Sequence, residues 1–229
     1  MPLTLFITGT GTDVGKTVLT CLLIRQLQVR AQAVAGFKPV SSGGRSDALA
    51  IQSALGAGIP LEIVNPIWFS PPVTPLVAAR MAGTRIELTT LTAHVRLHQA
   101  ESEVCLVEGA GGLLSPLGER FSSRDLLVAL DAVPVVVAVN RLGVLNDVFL
   151  TWEALPAAAR ARARLVLFET AQPDASADSN PGLLAEHLGP DRMFRLPWLP
   201  EADRTEPQGA VAEALDDLCD SLGLSDDRR

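Results

Sequence analysis

The stretch Leu3-Thr4-Leu5-Phe6-Ile7-Thr8-Gly9-Thr10-Gly11-Thr12-Asp13-Val14-Gly15-Lys16-Thr17 decides the fold. It opens on a short apolar run, turns through a glycine-rich segment, and leads into Thr17 to Val29, where leucines and valines recur at helical spacing. The order is strand, loop, helix. Similar apolar runs return at Ala33 to Phe37, Val104 to Val107, Val133 to Val139, Leu165 to Phe168 and Met193 to Leu196. They are continuous and do not alternate with polar residues, so they read as strands covered on both faces. Helical patterns fill the gaps at Asp47 to Leu55, Pro75 to Ala82, Leu88 to Gln99, Leu145 to Arg160 and Gly209 to Leu222. The expected architecture is a single α/β domain over residues 1–224, a mainly parallel, doubly wound sheet with helices on both faces. Gln172 to Pro181 and the tail at 225–229 read as disorder-like, and no linker or internal repeat divides the chain.

Composition narrows the ligands. Nineteen basic against 26 acidic residues leave a net charge of -7, which argues against an electrostatic grip on nucleic acid or an anionic membrane. Aromatics are 4% of the 229 residues and tyrosine is absent, so a base-stacking platform is not expected either. Cys21, Cys105 and Cys219 are odd in number and widely spaced, which supports neither a disulfide framework nor a zinc knuckle. With no basic leader and no apolar run of membrane length, the expected setting is cytoplasmic and the expected ligand is small.

The loop from Gly9 to Thr17 looks like a P-loop. Backbone N–H groups and the helix N-terminus would face a polyphosphate, Lys16 would reach the outer phosphates, and the Thr17 hydroxyl would bind Mg²⁺. Five residues separate Gly9 from Gly15, where the common spacing has four. The bland alternative is a helix N-terminus after a glycine turn. Lysine usage adds an independent signal, because seventeen of the nineteen basic residues are Arg and the only lysines are Lys16 and Lys38. Two compact ammoniums kept in an arginine-rich chain, both just beyond predicted strands, suggest sites of close approach to phosphate or carboxylate. The second loop, Gly36-Phe37-Lys38-Pro39-Val40-Ser41-Ser42-Gly43-Gly44, leads to Asp47, which is readable equally as a helix N-terminal cap and as a metal ligand. A third loop, Glu108-Gly109-Ala110-Gly111-Gly112, sets a carboxylate at a strand end, well placed for Mg²⁺, and glycines that let a ligand approach the backbone.

Taken together, TGTGTDVGKT, GFKPVSSG, SDA, VEGAGG, NRLGVLN and LPWL resemble the dethiobiotin synthetase family, in order and at compatible spacing over nearly the whole chain. That family uses the longer glycine spacing. The resemblance implies a P-loop NTPase-like fold and a cyclo-ligase that consumes ATP with Mg²⁺ to close the ureido ring of dethiobiotin from 7,8-diaminononanoate and CO₂. It implies Lys16 at the phosphates, Lys38 at the carbamate and transferring phosphoryl group, and Thr12 as a further catalytic-site residue. Thr17, Asp47 and Glu108 would hold Mg²⁺. Asp13, Val14, Gly15, Gly109, Ala110 and Gly111 would face the nucleotide, with Glu169, Thr170, Pro197, Trp198 and Leu199 on its base side. Thr12, Ser42 and Gly111, with Leu142-Gly143-Val144-Leu145-Asn146 from a second subunit, would bind the diamine in a homodimer. Pro71 to Pro75 would line the same pocket or simply stiffen a loop. Trp198 is equally readable as core.

One departure concerns the base. Family members commonly carry Asn after the strand beside the adenine, whereas this chain reads Phe168-Glu169-Thr170, which leaves nucleotide preference open. His94 and His98, four apart on a predicted helix, read as a solvated face for want of acidic or cysteine partners. Arg160, Arg162 and Arg164 read as a helix end, and Glu213, Asp216, Asp217 and Asp220 as the wet side of a packing helix. The alternative function is a ParA/MinD-like ATPase switch acting on a protein partner. Its loop carries an early lysine that is missing here, and the acidic last helix offers no basic membrane face. Cobyrinate and cobyrate amidases share the phosphate loop but need a glutaminase domain for which this chain is too short.

Overall fold

A computed structural model describes residues 2–56, 58–200, 204 and 206–224. The strands are β1 Leu3–Gly9, β2 Val34–Phe37, β3 Val40–Ser42, β4 Ile67–Phe69, β5 Val104–Glu108, β6 Pro116–Gly118, β7 Phe121–Ser122, β8 Val133–Val139, β9 Arg164–Phe168 and β10 Met193–Leu196. The helices are α1 Lys16–Val29, α2 Ser46–Leu55, α3 Leu61–Val64, α4 Pro75–Met81, α5 Leu88–His98, α6 Ser123–Ala129, α7 Val144–Ala154, α8 Ala157–Arg162, α9 Asn180–Leu188 and α10 Ala210–Ser221.

All six apolar runs form one parallel sheet in the order β10-β9-β8-β1-β5-β2. Side chains alternate between two apolar layers. Leu5, Ile7, Leu106, Val135 and Val166 pack beneath α1, α2 and α10, while Phe6, Val107, Val136 and Leu165 pack on the opposite face against α5 to α9. With both faces covered, most strand positions are apolar, which is why the runs are nearly continuous; the exceptions include Thr4, Thr8 and Arg164, and Glu108 and Arg195 near the C-terminal ends of their strands. The register then fixes the site: Ile7 lies opposite Glu108, and Phe37 and Phe6 lie opposite Val107. The C-terminal ends of β1, β2 and β5 therefore share one edge, the usual place for a ligand in such a sheet.

Several expectations need correction. The helix read over Leu145 to Arg160 is two helices, because Leu155 precedes Pro156 and takes ψ 135° in place of a helical value. The disorder-like stretch Gln172 to Pro181 is ordered: Asp174 accepts from the Leu142 and Ser176 backbone amides, Ala177 is buried, and Asn180 and Pro181 begin α9. The last helix is wet only in part, since Asp216 and Asp220 accept from the buried Arg30 guanidinium at 2.7 and 2.8 Å. His94 is half-buried, with Nε2 2.8 Å from the Ile63 carbonyl oxygen and its ring edge-on to Phe37. The tail at 225–229 lies outside the described residues. All three cysteines are free and buried, and burial pushes their thiols up to about 12. Among the described residues no helix is long and apolar enough to cross a membrane.

Candidate active site

Three βα loops meet above the β1, β2 and β5 ends. The first is wound by two left-handed residues, Asp13 at φ 55° and Gly15 at φ 95°. Asp tolerates that region and glycine favours it. A side chain on Gly15 would also press on the Phe168 ring at 3.2 Å, so the loop can sit low over β9 only with glycine there. Lys16 opens α1, and its ammonium folds back to donate to the Gly11 carbonyl at 2.6 Å. Burial, with repulsion from Lys38, holds the Lys16 amine below its ordinary 10.5.

Lys38 behaves in the opposite sense. It is 4% exposed, and its Nζ lies 2.6 Å from Glu108 Oε1, 3.0 Å from Asp47 Oδ2 and 3.2 Å from the Gly109 carbonyl. Burial works to lower its pKa, but the Glu108 and Asp47 carboxylates prevail and hold it above 10.5. Glu108 is 1% exposed, so a charge there needs partners. Besides Lys38 it accepts from Thr17 Oγ1 at 2.9 Å and Thr20 Oγ1 at 3.0 Å, two hydroxyls three apart on α1 and thus on one helix face. Asp47, in the first turn of α2, is held below 3.8: burial acts to raise it, and Lys38 and Thr17 outweigh that.

Lys16, Lys38 and Asp47 of this cluster face a cavity of about 600 Å³ lined also by Thr12, Asp13, Ser42, Ala110 and Gly111, all named from sequence, while Thr17 and Glu108 lie behind the wall and do not line it. Ser41, Gly44 and Ser115 also line it, as do Pro72 to Pro75. Gly111 takes φ 68° and packs against Ser115, whose hydroxyl accepts from the Gly112 amide at 2.9 Å. A second cavity of about 240 Å³ opens on the other side of the loop, lined by Asp13, Val14, Gly15, Glu169, Thr170, Trp198 and Leu199. Trp198 is 46% exposed, which decides against the core reading. Pro197 is half-buried beside this second cavity and does not line it.

Leu142 to Asn146 do not reach either cavity within one chain; they follow β8, with Leu142 exposed and Val144 buried. Thr20, Ser115 and Arg195 were missed from sequence, and Asn140 was read only as the first residue of NRLGVLN, with no role given to it. Of the three missed, Thr20 alone left a readable trace, one helical turn after Thr17. No group of three His, Cys, Asp or Glu able to hold a metal occurs among the described residues. The oxygens of Thr17, Asp47 and Glu108 are nonetheless hard donors suited to Mg²⁺, which takes few protein ligands and completes its shell with phosphate and water. An ammonium already bridging Asp47 and Glu108 marks that position as one that favours a cation.

The family model described as an AAA domain matches residues 3–206. Curated relatives include the ATP-dependent dethiobiotin synthetase BioD of Anaeromyxobacter sp. (strain K), 37% identical over 92% of this chain and 97% of that protein. Another is BioD 1 of Escherichia coli (strain K12), 32% identical over 86% and 91%. Among solved structures, a ParA family ATPase from Chlorobium tepidum TLS superposes with TM-score 0.60 at 12% identity over 95% of this chain and 98% of that one. MinD of Aquifex aeolicus gives 0.59 at 13% over 98% of each. At such identities these two show a shared fold and nothing about a switch function. From the lysine-carboxylate cluster, the paired cavities and the curated relatives, the chain belongs to the ATP-dependent dethiobiotin synthetase family.

Proposed function

We propose that this chain closes the ureido ring of dethiobiotin from 7,8-diaminononanoate, CO₂ and ATP, releasing ADP and phosphate. The observation that carries the reading is the convergence of the chain's only two lysines with Asp47 on one cavity wall, backed by Glu108 and Thr17 through the Lys38–Glu108 ion pair and the Thr17–Glu108 hydrogen bond. One amine takes up CO₂ as a carbamate. A carbamate oxygen then attacks the terminal phosphorus, and ADP leaves. The second amine attacks the carbonyl carbon of the mixed anhydride, expelling phosphate and shedding a proton.

Such phosphoryl transfer needs positioning and charge neutralisation more than covalent help. Lys38, fixed by two carboxylates and the Gly109 carbonyl, holds a full positive charge where a carbamate and a phosphoryl group would meet. Lys16 would exchange the Gly11 carbonyl for the outer phosphates. Thr12, Ser42 and Gly111 would flank the diamine, with Pro72 to Pro75 as its apolar wall. Mg²⁺, held by Thr17, Asp47 and Glu108, would neutralise phosphate charge.

The apolar tail of the diamine needs more cover than one chain offers. Leu114, Leu142 and Leu150 are more than half exposed, and a shallow groove between Thr10–Thr12 and Leu114, Leu150 and Ala154 runs beside the phosphate loop. An exposed apolar groove of this kind supports a homodimer in which a second copy covers it and Leu142 to Asn146 complete the partner's site. Free, buried thiols support a cytoplasmic setting. The test is incubation with diaminononanoate, bicarbonate, Mg²⁺ and ATP. Ring-closed product by mass in equal amount to ADP is expected, and ATP hydrolysis without ring closure would overturn the reading.

A further inference from the structure

We propose that Glu169 makes the second cavity a reader of nucleobase N–H donors, so that guanosine triphosphate is accepted alongside ATP. This rests on the nucleotide reading of the site. Asp13 lines both cavities, so the second is continuous with the phosphate loop and sits where a base would project. Apart from Asp13 at the loop end, Glu169 is the only acidic side chain on its wall among the described residues.

The carboxylate is held in place. Asn140 Nδ2 donates to Glu169 Oε2 at 2.9 Å, and Arg195 Nε donates to Oε1 at 2.8 Å. Asn140 is fully buried and is itself fixed, its side-chain oxygen accepting from Asn180 Nδ2 at 3.0 Å. A surface ion pair with Arg195 alone would not need a buried amide behind it. Each carboxylate oxygen keeps lone-pair capacity after these bonds, and a carboxylate can only accept. It therefore satisfies one amino hydrogen of adenine, and two adjacent donors, N1–H and the 2-amino group, of guanine. It can offer nothing to a ring acceptor beside the amino group of adenine. An amide at this position would donate as well as accept. The half-exposed Trp198 and the apolar Val18, Val139 and Leu199 complete a slot for a planar base. Thr170 and Arg204 also line it; Arg204 Nε donates to the Leu199 carbonyl at 3.1 Å, and its other N–H groups can only donate, so among the described residues, Asp13 at the loop end aside, Glu169 is the side chain there that accepts from a base without being able to donate.

The experiment is calorimetric titration of the Mg²⁺ complexes of ATP, GTP and ITP into the full chain, repeated with Glu169→Gln. GTP should bind within threefold of ATP. ITP, which lacks the 2-amino group, should bind at least fivefold more weakly than GTP, since a site built around a donor rejects the analogue lacking it. Glu169→Gln keeps one acceptor and loses the other, so GTP should weaken at least tenfold while ATP changes less than threefold. GTP binding more than tenfold weaker than ATP, or equal binding of GTP and ITP, overturns the proposal. If Glu169→Gln does not fold, the wild-type GTP to ITP ratio decides alone. Failure of ring closure with every nucleotide, with the base ranking intact, would sink the synthetase reading and leave this one standing. Ring closure with ATP while GTP is rejected would do the reverse.

Discussion

Removing the Lys38 ammonium while keeping its length, as Lys38→Met, leaves Glu108 charged, 1% exposed and without its closest counter-ion. At 2.6 Å the direct attraction is roughly 6 kcal/mol for an effective dielectric near 20, most of it offset by the cost of desolvating both ions. Breaking a buried pair from one side costs about 3–5 kcal/mol. Here Thr17 and Thr20 still donate to Glu108, so the low end, about 3 kcal/mol, is expected. The assay is urea denaturation with chelator present at neutral pH. The double variant Lys38→Met/Glu108→Gln should recover part of the loss, because it removes the orphaned charge. The pH sign follows from both partners. Asp47, held below 3.8, contributes above that value and loses its contribution as pH falls through its lowered folded value. Lys38, held above 10.5, contributes below that value and loses its contribution as pH rises through its raised folded value. The deficit of Lys38→Met should therefore stay flat between about pH 5 and pH 9. A deficit under about 1 kcal/mol, or a double variant no more stable than the single one, would refute the reasoning.

Lys38→Gln should lower ring-closure turnover far more than ATP affinity, and a steady-state comparison showing equal turnover with wild type would exclude its role at the carbamate. Amine acylation followed by peptide mass should find Lys16 reacting with a midpoint below 10.5 and Lys38 protected to higher pH; the reversed order would contradict the environments described. Arg30→Met should cost about 1–2 kcal/mol, mostly through the buried Leu224 contact because Asp216 is partly exposed and keeps the Gln26 bond, yet leave ATP turnover unchanged, measured by denaturation and steady-state rates. Leu150→Asp should shift sedimentation from dimer to monomer and lose ring closure; a fully active monomer would rule out the shared site.

The sheet was legible because burial on both faces forces nearly unbroken apolar runs, and all six runs belong to it. Lys16 and Lys38 stood out because the chain otherwise uses arginine, and both line the same cavity. Three-residue pieces such as β3 and β4 left no trace, since Val40-Ser41-Ser42 pairs with Ile67-Trp68-Phe69 through tertiary placement and not through any local period. Asp216 and Asp220 looked like a wet face because nothing in the sequence shows that Arg30, 186 residues from Asp216, lies beneath them. The support of Glu169 by Asn140 and Arg195 is likewise a contact between separate strand ends, which no spacing rule reveals. Pro156 was visible, and its effect on Leu155 follows from local sterics; the apolar period across it masked the break.

Ring closure run in ¹⁸O-labelled bicarbonate, with rapid mass analysis of the released phosphate, asks whether the two lysines and the two carboxylates serve phosphorylation of a carbamate oxygen. One ¹⁸O in the phosphate and one in the ureido carbonyl are the expected result, because the C–O bond that breaks in the mixed anhydride carries an oxygen from CO₂. Unlabelled phosphate formed together with ring-closed product would contradict it.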